Sequence, residues 1–194
     1  MKRRRLLAGA MLAAMVALAG CKDAPDAGTP ARPRGSVPVS IEAIAAEAQG
    51  FNLGSAMSAR TAYVFFDPQC SHCAALWMAA RPLRNQLRFV WIPVGLLNEK
   101  STLQGAALLS ATDPVAAMDQ HEVSLREKRG GIAPRGGTEA QQDVVKRNTA
   151  LMTRFGFGSV PALVARHART GELVTIEGAL ATAALAERLG LQAP

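Results

Sequence analysis

Two cysteines separated by two residues, Cys70-Ser71-His72-Cys73, stand directly behind the apolar run Tyr63-Val64-Phe65-Phe66, and no other stretch of this chain restricts its fold as tightly. Thr61 to Phe66 is β-rich, too short for a helix and nearly apolar throughout, which predicts a central strand covered on both faces. Asp67-Pro68 breaks the run. Ala74 to Ala80 is good helix material until Pro82, so a helix is expected over about Cys70 to Arg81. A strand that delivers a cysteine to the first turn of a helix, with a second cysteine three positions on, describes a reactive dithiol.

The flanking segments supply the rest of a domain. Leu87 to Val94 reads as a second apolar strand, and a strand, helix, strand unit with short connections favours a parallel pair. Ahead of it, Ile41, Ile44, Ala45 and Ala48 recur at helical spacing from Ser40, with Gly50 as a stop. Beyond it the signals turn helical: Leu103 to Ala111, Pro114 to Lys128 and Glu139 to Phe155, with Gly130-Gly131 and Gly136-Gly137 bracketing a loop between the last two. Ala162 to Arg166 and Leu173 to Ile176 flank Thr170-Gly171 as a β-hairpin. Leu180 to Leu189 closes as a helix with Gly190 at its cap. The expected fold class is α/β: thioredoxin-like, with a helical insertion between a βαβ half and a C-terminal ββα half, over residues 39–194.

The N-terminal segment belongs to export rather than to the fold. Met1 to Arg5 carries four positive charges, and Leu6 to Gly20 is an unbroken small, apolar stretch. Fifteen residues suit the core of a signal peptide over residues 1–20 better than a bilayer span of about 20. Leu18-Ala19-Gly20-Cys21 resembles the lipobox of bacterial lipoproteins, which implies cleavage before Cys21 and lipid on its sulfur. The alternative is an ordinary secretory signal ending before a cysteine. Lys22 to Pro38 is dense in Pro, Gly, Ala and charge, so residues 21–38 read as the lipid-attachment cysteine and a flexible tether.

Composition then excludes several classes. Without the signal, 18 Lys and Arg face 15 Asp and Glu, and the net charge falls from +7 to +3. No basic block interleaved with aromatics survives, so nucleic-acid binding has no support. With Cys21 lipidated, Cys70 and Cys73 are the only remaining pair, and a structural disulfide framework is ruled out. They supply two thiolates where a structural zinc site takes four ligands. No metal or other cofactor is called for. His121 and His167 stand alone, with surface or packing roles expected, and Trp77 and Trp91 read as core.

Cys70 is the expected nucleophile, because the first turn of a helix presents unpaired N–H groups and the positive end of the helix dipole, which favour thiolate. Cys73, one turn deeper, is the expected resolving thiol, able to attack a mixed disulfide on Cys70. His72 is expected to tune the thiolate through its imidazole, the alternative being a solvent-facing side chain with no coupling. Val160-Pro161, just before the hairpin, falls where thioredoxin-like folds hold a cis proline opposite the dithiol. The alternative is a trans proline opening an edge strand.

Phe65-Phe66-Asp67-Pro68-Gln69-Cys70-Ser71-His72-Cys73, then Leu76-Trp77, Ala80-Arg81-Pro82, Val94-Gly95-Leu96-Leu97, Ala111-Thr112-Asp113-Pro114 and Val160-Pro161-Ala162, resemble the catalytic domain of the periplasmic thiol:disulfide interchange proteins of the DsbC/DsbG group, on the DsbG side. The resemblance runs from about Ala62 to Leu191. It implies disulfide reductase or isomerase activity on exported proteins, with Cys70 attacking, Cys73 resolving, and Val160 and Pro161 contacting substrate. It also implies a DsbD-like membrane thiol donor and a periplasmic location, which the lipobox would tether to a membrane. Lys22-Asp23 lean that tether toward the outer membrane.

The chain departs from the group in three places: too few residues precede the first strong strand for a dimerisation domain and linker helix, Val160 replaces the usual threonine, and His72 is closer to the oxidase DsbA. The acid that thioredoxin carries six residues before its first thiol is replaced by Val64. A DsbA-like oxidase or a dedicated reductase of cytochrome c maturation is therefore the alternative, and a metal-carrier lipoprotein using Cys70, His72 and Cys73 a more distant one.

Overall fold

The computed structural model describes residues 36–55 and 57–194; the expected signal peptide, Cys21 and nearly all of the expected tether lie outside the described residues. Helix α1 (Ile41–Glu47) starts where the Ser40 hydroxyl accepts the Ala43 N–H. Strands β1 (Phe51–Leu53), β2 (Thr61–Phe66) and β3 (Arg88–Pro93) enclose helix α2 (Ser71–Ala80), which continues into a 3-10 turn at Arg81–Leu83. Helices α3 (Glu99–Ser110), α4 (Pro114–Arg126) and α5 (Glu139–Arg154) follow, then β4 (Ala162–Arg166), β5 (Leu173–Glu177) and α6 (Thr182–Leu189).

The five strands form one sheet in the order β1-β3-β2-β4-β5. As expected, β2 is central and pairs parallel with β3, and β4 and β5 form the antiparallel hairpin. Strand β2 also pairs antiparallel with β4, Val64 opposite Leu163. Alternation along β2 and β4 divides the core between the faces of the sheet. Ala62, Val64, Phe66, Leu163 and Ala165 pack with Trp77, Trp91 and Leu185. Phe65, Ala162 and Val164 pack on the other face with Ile44, Leu151 and Phe155. Trp77 and Trp91 are fully buried with ring centroids 4.9 Å apart, which confirms their core reading.

The insertion is three helices, each begun by a side chain that accepts a backbone N–H: Asn98 for α3, Asp113 for α4 and Thr138 for α5. Two features differ from the sequence reading. Helix α3 begins at Glu99, one turn before Leu103, because the Asn98 cap outweighs the polar start Glu99-Lys100-Ser101. Edge strand β1 has no counterpart in that reading; its three residues are too few to show a period, and its pairing of Phe51 with Trp91 is a tertiary contact.

Candidate active site

The site lies where the C-terminal end of β2 meets the start of α2. Cys70 is the N-cap residue of α2, with extended backbone and no side-chain capping bond, so its sulfur stands where a capping oxygen usually sits. Its thiol pKa is lowered to about 6, first by a hydrogen bond from the Cys73 thiol and then, against the cost of burial, by the backbone N–H groups of Cys73 and His72. The His72 imidazole adds a smaller Coulombic pull. His72 itself is exposed, so backbone and partner thiol outweigh it in tuning the sulfur.

Cys73 is 1% exposed, and both thiols are free. Burial pushes its thiol far up, and the adjoining Cys70 sulfur pushes it further through their hydrogen bond and through charge. The two cysteines are thus separated in role by their environment: one is a thiolate near neutral pH, the other a protonated thiol that donates to it. Opposite them the Val160-Pro161 bond is cis, and the Val160 carbonyl oxygen lies 3.5 Å from Cys70 Sγ, within reach of its S–H.

A layer of buried polar groups beneath this pair escaped the sequence reading. Asp67 is fully buried; its Oδ1 accepts the Gln69 N–H at 2.8 Å, and its Oδ2 accepts the N–H groups of Leu96 and Leu97 at 2.8 and 2.9 Å. One carboxylate therefore ties the turn before Cys70 to the segment after β3. His121, expected at the surface or in packing, is fully buried: its Nδ1 accepts the Ile132 N–H at 3.1 Å, which leaves Nε2–H to donate to Pro68 O at 2.6 Å. Burial holds its pKa below the ordinary range. Gln104 Nε2 donates to Gly130 O and Ile132 O, both at 2.8 Å, while Gln104 Oε1 accepts from Gln69 Nε2. The helical insertion thus supports the turn that carries Cys70. Only the adjacency of Asp67 and Gln69 to the cysteines signalled this; His121 and Gln104 gave no local sign.

The Gly130-Gly131 loop meets this layer closely. Gly131 has φ +87°, and a Cβ there would stand 2.4 Å from His121 Cε1 and 2.7 Å from Gln104 Nε2. Gly171 has a similar φ of +75° with nothing within 4 Å. In urea denaturation Gly171→Ala should cost about 1 kcal/mol for backbone strain alone, whereas Gly131→Ala should cost about 3 kcal/mol because it also displaces the His121 and Gln104 contacts. Equal losses at the two glycines would count against that support.

A dithiol capping the helix after the central strand of this sheet defines the chain as a thioredoxin-like protein with a CxxC site. No protein-family model matches it. The chain is a homologue of the thiol:disulfide interchange protein DsbG of Pseudomonas aeruginosa, with 33% identity over 142 residues, which take in 71% of this chain and 54% of that protein. It thus spans about half the length of the curated relative it matches. Solved structures share the fold: the catalytic domain of Proteus mirabilis ScsC at TM-score 0.59 and 18% identity, over 76% of this chain and 95% of that one; a periplasmic thioredoxin-like protein of Salmonella enterica serovar Typhimurium at 0.57 and 18%, over 72% and 87%; and the thiol-disulfide exchange protein alpha-DsbA2 of Wolbachia pipientis at 0.53 and 19%, over 72% and 85%.

Proposed function

We propose that the chain is a thiol:disulfide oxidoreductase, a DsbG-like disulfide reductase or isomerase, with Cys70 as nucleophile and Cys73 as resolving thiol. The observation that carries this reading is the opposite shift of the two sulfurs: one thiolate at the helix N-terminus, one buried thiol donating to it. The Cys70 thiolate attacks one sulfur of a substrate disulfide and forms a mixed disulfide, and the other substrate sulfur leaves as thiolate. Two of the effects that kept Cys73 protonated, the Cys70 hydrogen bond and its charge, end at that step. Cys73 then loses its proton and attacks Cys70 Sγ. The second substrate thiolate leaves, the Cys70–Cys73 disulfide forms, and two electrons have passed to the substrate.

In this reading the backbone at Val160, beside Pro161, holds the substrate strand against Cys70, and His72 adds a minor pull on the thiolate. The substrates are exported proteins with cysteines or disulfides in the periplasm, and a DsbD-like membrane thiol donor restores the dithiol. Lipid on Cys21 tethers the protein, with the outer membrane favoured by Lys22-Asp23. No helix among the described residues is long and apolar enough to cross a membrane.

The second reading, a DsbA-like oxidase, is favoured by the stabilised Cys70 thiolate, because a stabilised reduced form makes a disulfide more oxidising, by about 30 mV for each 1.4 kcal/mol. A potential near about −270 mV supports the reductase and one near about −120 mV the oxidase. The decisive experiment for exchange itself is Cys73→Ala expressed in the periplasm. Proteins held on Cys70 as mixed disulfides, released by dithiothreitol and absent from the Cys70→Ser, Cys73→Ala double variant, are expected; no such adducts would remove the proposal's chemical basis.

A further inference from the structure

Beside the dithiol, a cleft of about 450 Å³ runs between α2 and α4. Gln69 and Ser71, the chain neighbours of Cys70, form part of its wall, so the cleft opens next to the reactive sulfur. Ala74, Ala75 and Met78 of α2 face Leu125 of α4 across it. Set among these apolar groups is Glu122, only 3% exposed, whose Oε2 has no hydrogen-bond partner. Buried polar atoms are almost always paired, and an orphaned carboxylate oxygen in a fold is expensive unless a ligand completes it. Arg126, one turn along the same helix, lines the cleft too, yet no ion pair joins it to Glu122 among the described residues.

We propose that this cleft is a substrate-reading subsite, which takes a lysine or arginine side chain near the reacting cysteine of the substrate polypeptide, with Glu122 accepting its N–H. The proposal rests on the exchange reading of Cys70. Its chemistry follows from the lining: an aliphatic stem fits the Ala74, Ala75, Met78 and Leu125 walls, and a charged nitrogen at its end supplies the donor that Glu122 lacks. A purely aliphatic side chain fills the same walls and leaves the carboxylate unpaired, so the site discriminates between the two. The occupant is substrate rather than an unrelated small molecule because the cleft is continuous with the residues on either side of Cys70.

Glu122 has its pKa raised to about 7, by burial first, with the Coulombic effect of Arg126 opposing and those of Cys70 and Asp119 adding. Those are the charged groups that bear on it from its own helix and from α2. The carboxylate is therefore present above about pH 7 and lost below it, and the preference for a basic side chain should follow the same direction.

The test uses single-cysteine peptides capped by 2-mercaptoethanol as mixed disulfides, with lysine or norleucine placed in turn at the three positions on either side of the cysteine. Second-order rate constants with the reduced protein are divided by those with free dithiothreitol, which removes the effect of the lysine on the peptide's own sulfur. At one position the lysine peptide should react about tenfold faster than its norleucine counterpart at pH 8, as expected for one added charge-assisted hydrogen bond. That ratio should fall to within about twofold in Glu122→Gln and in the wild-type protein at pH 5.5, and likewise in Ala75→Trp, which fills the cleft from an exposed position. A ratio near one at every position in the wild type, or a ratio that persists in Glu122→Gln, overturns the subsite while leaving exchange intact. Failure to exchange with either peptide and with hydroxyethyl disulfide overturns both readings.

Discussion

Alkylation of Cys70 by iodoacetamide will be half-maximal near pH 6, and Cys73→Ala will move that midpoint up toward the ordinary thiol value of about 8.5. The largest stabiliser of the Cys70 thiolate is the hydrogen bond from the Cys73 thiol, and alanine removes it while leaving the N–H groups of the helix end in place. In the parent protein the reactive fraction falls about thirtyfold between pH 7.5 and pH 4.5, as a single titration at about 6 requires. In the variant most of that change moves above pH 7, so mixed disulfides are best collected near pH 8. The same shift acts on stability. The folded pKa lies below the unfolded one, so the reduced protein gains stability as pH rises from about 6 to about 8.5 and loses it as pH falls through 6. The gain is about 1 kcal/mol at pH 7, allowing for screening at a helix end, and the oxidised protein, with no thiolate, lacks it. A midpoint in Cys73→Ala equal to that of the parent would show that the helix end alone lowers the pKa.

Asp67→Ala should lower the free energy of unfolding by about 3–5 kcal/mol, because it strands the N–H groups of Gln69, Leu96 and Leu97 in a buried turn. Asp67→Asn should cost nearly as much, since its Nδ2 cannot accept from the two N–H groups that now meet Oδ2. Urea denaturation measures both. The chemistry should change with the fold: the Asp67 charge is one of the effects that raise Cys73, so its thiol becomes easier to ionise in either variant. Faster alkylation of Cys73 at pH 9 than in Gly131→Ala, which loosens the same support and keeps the Asp67 charge, separates this role from simple loosening. A loss under 1 kcal/mol would mean the turn holds without the carboxylate.

What could be read in advance divides along local and non-local lines. The strand at Thr61–Phe66, the helix behind Cys70, the three helices of the insertion and the hairpin all follow from patterns within a dozen residues: apolar runs, periodic stripes, capping side chains and glycine stops. Edge strand β1 does not, because three residues carry no period and its identity is conferred by β3. The same division holds at the site. Cys70 and Cys73 were legible because their spacing and their place at a helix start are local. Asp67 lay in plain view beside them, but nothing in Asp67-Pro68 says that the carboxylate turns inward to meet Leu96 and Leu97.

The sequence by itself determined which two sulfurs meet, which comes first on the helix and which fold class carries them, since each depends on neighbours along the chain. Only the tertiary structure decided what surrounds them. His121 lies 53 residues from Pro68, and Gln104 lies 35 from Gln69. Glu122 reaches the wall of the cleft beside Cys70 from another helix. Such contacts are set by how helices of the insertion dock on the sheet, and docking depends on the shapes of whole packed faces, which no single segment encodes. For that reason the dithiol is a property of nine consecutive residues, while the polar layer beneath it and the unpaired carboxylate beside it are properties of the fold.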